Sequence, residues 1–306
     1  MAKTVSAPKS SSSRPSAKAT PAKGRPAGLF TWIAVGVVVV IVAALAIVKI
    51  AGGGTTSSGA SGWTATDPTT VAQVTGIPAS VYDAVGVSEA SAVTAPVVLK
   101  GQPALTAKNA AGATVPEILY IGAEYCPYCA AQRWATIAAL SRFGTWSGLG
   151  NTSSASNDVY ANTPTFTFLK STFTSKYLVF RGVETLGNVY PYATLMTPTK
   201  AEYAIINKYD TSNYINMSSS NDGAIPFISM GNQFLVSGAS YNPGLLTGLT
   251  RSQIASNLSA TTSPITKVII TSANEQTAAI CKLTHQQPST VCNSPGVTAA
   301  KALMKI

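Results

Sequence analysis

The sequence predicts an α/β sandwich carried outside a single transmembrane helix. Three observations predict it. An uncharged apolar run of membrane-spanning length follows a basic N-terminus. Beyond that run, short β-branched and aromatic stretches alternate with helical ones, the pattern of a sheet flanked by helices. The composition is that of a folded chain: 46% of the 306 residues are apolar and 10% charged, whereas a disordered chain needs low hydrophobicity and high net charge.

The net charge of +10 is unevenly spread. Residues 1–28 hold Lys3, Lys9, Arg14, Lys18, Lys23 and Arg25 with no acidic residue, while from residue 51 onward 14 basic residues face 11 acidic ones. A nearly neutral body lacks the basic footprint of a nucleic-acid binder, so no nucleic-acid partner is expected. The tail 1–28 is rich in Ser, Ala, Pro and Lys and reads as disordered and cytoplasmic. Leu29–Val48 is 20 residues without a charge, about 30 Å as a helix, and 29–50 is read as a transmembrane helix held in lipid. Ala44-Leu45-Ala46 resembles a signal-peptide cleavage site, but Ile47 and Val48 continue the apolar run beyond it and favour an uncleaved anchor. The basic flank before the run, against Lys49 alone after it, leaves the N-terminus in the cytoplasm and the rest outside the cell membrane. Residues 51–62 are a flexible Gly/Ser/Thr linker, holding the body about 20 Å from the bilayer. Residues 63–306 form the extracytoplasmic domain.

Within that domain Pro96–Lys100 and Ile118–Ala123 are apolar runs that fit buried strands. Pro127 to Phe143 reads as a helix, with Arg142 in its last turn and Gly144 just past it. Thr165–Leu169 and Tyr177–Arg181 are β-branched and aromatic, hence strands. Thr199–Tyr209 follows Pro198 and reads as a helix. Pro226–Met230 and Gln233–Val236 flank Gly231-Asn232, a hairpin signal. Arg251–Leu258 and Ile265–Leu283 are the closing helices.

The chemistry centres on Cys126-Pro127-Tyr128-Cys129, which leaves an apolar strand and opens a helix. A Cys at a helix N-terminus meets free N–H groups and the positive end of the macrodipole, which stabilise a thiolate. Cys129 lies one turn deeper on the same face and can close a disulfide with Cys126. Pro127 in the first turn forfeits no intrahelical hydrogen bond.

Ala123 to Cys129 resembles the active-site strand–helix junction of the thioredoxin superfamily, with the Pro-Tyr dipeptide of its glutaredoxins. Ala224-Ile225-Pro226-Phe227 is similar to that superfamily's cis-proline loop, which packs on the two cysteines and offers backbone to an extended substrate. The longer string from Gly122 to Trp134, GAEYCPYCAAQRW, with Leu140 to Gly144, resembles an uncharacterised membrane-anchored thioredoxin-like family of prokaryotes, a domain of unknown function. The resemblance implies a thioredoxin-like sandwich, a mixed sheet flanked by helices, with an insertion between the first helix and Pro226. It implies Cys126 and Cys129 as catalytic thiols, Tyr125, Tyr128, Ile225 and Pro226 as substrate contacts, and no cofactor. The superfamily's buried carboxylate, six residues before the first Cys, is replaced by Tyr120. Glu124, two residues before that Cys, is expected to face solvent. Arg133 is expected to steer a substrate or tune Cys126, and Trp134 to pack the helix.

The implied activity is thiol–disulfide exchange with exported proteins bearing thiols or disulfides, recycled by an unidentified membrane redox partner. A redox-inert adaptor for a cell-envelope partner is the alternative. An enzyme should present an exposed, low-pKa Cys126; an adaptor should show a permanently closed motif that resists reductant and a covered proline loop. Two other readings of the motif stay open: a structural short-range disulfide, or zinc held with Cys281 and His285 in C-x2-C plus C-x3-H spacing. With Cys126 and Cys129 committed to exchange in an oxidising compartment, Cys281 and Cys292 are left to pair as a structural disulfide, the alternative being two free buried thiols.

Overall fold

The structure is a computed structural model that describes residues 63–215 and 219–306. The tail, the apolar run 29–50 and the linker lie outside the described residues. Among those described, no helix is long and apolar enough to cross a membrane.

Two short helices come first. In α1, Pro68–Thr75, Asp67 caps the N-terminus by accepting the Thr70 N–H at 2.8 Å, and Pro68 occupies the first turn. The second, α2, spans Ala79–Val85. Neither is long enough to show an apolar period in the sequence.

The central sheet follows the strands β1 (Val97–Val98), β2 (Thr106–Lys108) and β3 (Thr114–Gly122). Helix α3, Pro127–Leu140, leaves β3 through the Cys126 turn. Four short strands come next: β4 (Thr145–Ser147), β5 (Gly150–Ser153), β6 (Pro164–Thr167) and β7 (Thr172–Thr174). The chain re-enters the sheet as β8, Val179–Glu184, crosses over through α4, Lys200–Tyr209, and returns as the hairpin β9 (Phe227–Met230) and β10 (Phe234–Ser237). The closing layer is α5 (Arg251–Asn257), α6 (Pro264–Leu283), α7 (Ser289–Cys292) and α8 (Pro295–Met304).

The sheet is mixed. β3 pairs in parallel with β8, from Glu117↔Val179 to Gly122↔Glu184, and antiparallel with β9. β10 and β1 extend the β9 edge antiparallel, and β2 pairs with the first residues of β3. Alternation along β3 sends Ile118 and Tyr120 to one face and Leu119 and Ile121 to the other. The first face packs under α3 and α6, with Trp134, Ile137, Ile269 and Ile280. The second packs on Tyr209 of α4, Val183 and Phe227. In the β9–β10 turn Gly231 and Asn232 both take positive φ, and the Gln233 N–H reaches the Met230 carbonyl, as a primed hairpin turn requires.

Several elements depart from expectation. The run from Thr165 does form a strand, but β6 pairs with β5 in a separate ladder and never joins the central sheet. A second ladder joins β4 to β7. These two ladders make up much of the chain between α3 and β8. Helix α3 ends at Leu140, short of Phe143. Arg142 is thereby freed to stack on Tyr82 of α2, 4.3 Å from the ring centroid, and to bond Asn274 and Ser294.

Candidate functional site

The parallel pairing of β3 and β8 brings Gly122 level with Glu184, and the chain turns from β3 into α3 at that end of the sheet. Cys126 is the N-cap of α3. Its sulfur accepts the Cys129 N–H at 3.2 Å and donates its thiol to the Ile225 carbonyl at 3.6 Å. The Ile225–Pro226 peptide is cis, and Pro226 is buried beside it. The structure therefore gathers Cys126, Cys129, Ile225 and Tyr125 in one cluster that includes Ala123 and Leu186. Cys126 and Cys129 are free thiols.

Cys126 is 5% exposed and Cys129 is fully buried, which corrects the expectation of an exposed attacking thiol. The cover comes from sequence-distant chain: Tyr125 stacks on Tyr192 at 4.8 Å between ring centroids, and the Tyr125 carbonyl accepts the Ala155 N–H. Tyr128 lies outside that cover, 42% exposed, edge-on to Tyr160 at 6.1 Å. The acidity of the pair is likewise the reverse of the helix-dipole expectation. Burial, then the hydrogen bond with Cys129, pushes the Cys126 thiol well up. For Cys129 burial acts upward too, but the hydrogen bond from Cys126 and the charge of Arg133 outweigh it and bring the thiol below its ordinary value. Dipole and N–H groups alone do not set a thiol's acidity when solvent is removed.

The source of that charge is a buried ion pair. Arg133 donates Nε to Glu184 Oε1 at 2.9 Å and Nη2 to Glu184 Oε2 at 2.5 Å, both side chains fully buried. The same Nη2 donates to the Ala123 carbonyl at 2.9 Å, at the start of the thiol turn. Glu184 Oε1 also accepts the Phe168 N–H. Arg133 is thus occupied internally rather than steering a substrate. Trp134 packs as expected, its indole N–H on the Pro164 carbonyl. Tyr120 lies 5.7 Å from the guanidinium by ring centroid, and its hydroxyl has no partner among the described residues.

Glu124 corrects a second expectation. It is 4% exposed, accepts the Thr152 hydroxyl at 3.1 Å, and burial raises its pKa. Strand alternation ends at Gly122, and β5 folds over the loop that follows. Sequence reasoning missed Glu184 because the strand expected there stopped at Arg181. The sequence shows Glu184 only as an acid one residue after Val183; that it stands level with Gly122, beside the motif, comes from the parallel pairing of β8 with β3.

Cys281 at the end of α6 is bonded to Cys292 of α7, with Cα atoms 5.5 Å apart. Cys281 therefore does not join Cys126 and Cys129, and no group of three or more His, Cys, Asp or Glu side chains gathers among the described residues. His285 is exposed, at a positive φ, beyond the end of α6.

No curated protein and no solved structure matches the chain. A family model described as a domain of unknown function, DUF929, matches residues 104–282, which takes in both thiols of the motif, the Pro226 loop and the ion pair beneath them. With more than half of its length matched, the chain belongs to the DUF929 family.

Proposed function

We propose that this protein is a thioredoxin-like thiol–disulfide oxidoreductase, anchored by residues 29–50 and acting outside the cytoplasm on exported proteins. The single observation that carries the reading is the placement of the Cys126 sulfur. It caps α3, three residues from Cys129, and touches the carbonyl of the cis Ile225–Pro226 peptide at 3.6 Å. A client segment lying along Ile225 would bring its own sulfur to Cys126, the more accessible of the two thiols. Exchange needs no cofactor, since the two sulfurs carry both electrons. Tyr128 and the Tyr125–Tyr192 stack flank the approach.

The burial of Cys126 favours a second reading, a redox-inert adaptor whose covered motif only binds a cell-envelope partner. One experiment separates them. In the full-length protein, Cys129→Ser should trap mixed disulfides between Cys126 and exported proteins, because the resolving thiol is gone. Cys126→Ser should trap none. Absence of adducts with both variants would favour the adaptor.

A further inference from the structure

The Arg133–Glu184 pair is fully buried at both ends, and the exchange scheme above leaves it without a task. Arg133 follows Cys129 by four residues on α3, so the two share a helix face. Helical side chains lean toward the N-terminus, so the guanidinium lies over the turn that holds Cys129. Its hydrogen bond to the Ala123 carbonyl fixes it there, because Ala123 packs directly with Cys126 and Cys129. Glu184 occupies Nε and Nη2, while Nη1 is buried with no partner among the described residues. A buried cation with one free donor beside a buried thiol is a ready counter-charge for a sulfur anion.

We propose that Arg133 is the positioning residue that holds Cys129 as a thiolate, and that it thereby biases the pair toward accepting electrons from client dithiols. This inference rests on the oxidoreductase reading and gives it a direction. In the favoured half-reaction a client thiolate attacks Cys126 Sγ in the Cys126–Cys129 disulfide. The S–S bond breaks, and its electron pair leaves on Cys129, whose negative charge Arg133 stabilises. The client's second thiol, losing its proton, then attacks the client sulfur of the mixed disulfide. Cys126 departs and takes up a proton as the thiol. The client dithiol is oxidised to a disulfide and the enzyme disulfide is reduced by the same two electrons; the proton lost by the second client thiol ends on Cys126, and the one proton released overall is that given up when the attacking client thiol ionises. A stabilised leaving thiolate speeds the first step, and a stabilised reduced form makes the pair a stronger oxidant. The charge balance around Cys129 fits this role. Arg133 lowers its pKa and Glu184 opposes that; Tyr120 on β3 and Glu124 in the loop are buried, with burial favouring their neutral forms.

The test is equilibration of the full-length protein with mixtures of reduced and oxidised glutathione, with thiolate absorbance followed against pH. Arg133→Met should favour the enzyme disulfide by about tenfold, or about 30 mV toward reducing potential, and move thiolate formation to higher pH. Arg133→Lys should stay closer to wild type. Glu184→Gln removes the opposing charge while keeping one of the two acceptor oxygens, so it should shift both readouts the other way. A purely structural role would move the two substitutions in the same direction or neither. Shifts of equal sign, or none, in a pair that still exchanges would overturn this inference alone. A wild-type pair that never exchanges with glutathione would overturn the oxidoreductase reading and this inference with it. Should Arg133→Met fail to fold by circular dichroism, the sign of the Glu184→Gln shift decides the matter.

Discussion

Two cysteine pairs sit in very different surroundings in this protein. Cys126 and Cys129 lie at the start of a helix, in a small cluster with Ala123, Tyr125 and Leu186, and the buried Arg133–Glu184 pair reaches that turn through the Ala123 carbonyl. Cys281 and Cys292, 11 residues apart, lie at the other end of a helix among Ala278, Val297 and Ala300 of the main apolar core. All four sulfurs are buried. What separates the pairs is the company they keep: a buried ion pair reaches the turn that holds the first, whereas the second ties two helices together inside the apolar core, with Lys301 on the Cys292 carbonyl. Burial by itself therefore says little about whether a cysteine is built for exchange or for support.

The sharpest way to break that contrast is to remove the acid on the charged side. Glu184→Ala leaves Arg133 buried and uncompensated and should cost about 3–5 kcal/mol, read from denaturant unfolding; a loss under about 1 kcal/mol would show that water reaches the guanidinium. On the other side, replacing Cys281 and Cys292 together by Ala should lose about 3 kcal/mol through the freed loop. Thermal melting would report it, while the glutathione equilibrium of Cys126 and Cys129 stays within about twofold.

A third measurement sharpens the comparison through pH. Helix α6, which carries Cys281, also buries Glu275, whose carboxylate oxygens have no partner among the described residues. Burial lifts its pKa from 4.5 to about 8, and burial lifts that of Asp210 from 3.8 to about 7. Both folded values lie above the unfolded ones, so the folded chain binds the extra protons. Stability is fully present at acid pH below the unfolded values and is lost as pH rises through about 7 to 8. Glu275→Gln should flatten that decline by an amount on the order of 2 kcal/mol, followed as urea midpoints from pH 5 to 9. An unchanged slope would place the decline elsewhere. The smallest effect expected is that of Tyr128→Ala. This half-exposed side chain should change stability by less than about 0.5 kcal/mol, yet lower the yield of client adducts trapped by Cys129→Ser. Undiminished trapping would remove Tyr128 from the substrate contacts.

Local chemistry is legible in the chain itself. The start of α3 at Cys126, the cap of α4 at Thr199, and the turn at Gly231-Asn232 each follow from residues within one turn of the chain. So do β1, β3, β8, β9 and β10 of the central sheet, whose apolar runs need no partner to be recognised, whereas β2, Thr106–Lys108, has no such run. The helices α1, α2, α7 and α8 show no apolar period, because they are short or lie beyond the obvious apolar runs, although Asp67-Pro68 is a local start signal for α1. β6 is readable as a strand, but its partner is not, because pairing is chosen by chain that arrives from elsewhere.

The sequence by itself determined where the two reactive sulfurs stand relative to their helix, since the cap, the proline and the three-residue spacing are all local. Only the tertiary structure decided what those sulfurs experience. Arg133 meets Glu184 across 51 residues of sequence, Tyr125 meets Tyr192, and Glu124 is closed over by Thr152. A helix start is a property of neighbouring backbone and propagates over one turn. Desolvation and buried charge are sums over everything that packs around a group, and those neighbours are assembled only when distant segments fold together. The helix N-terminus therefore predicted an acidic, open Cys126, whereas the folded protein covers Cys126 and places a fully buried cation beside Cys129.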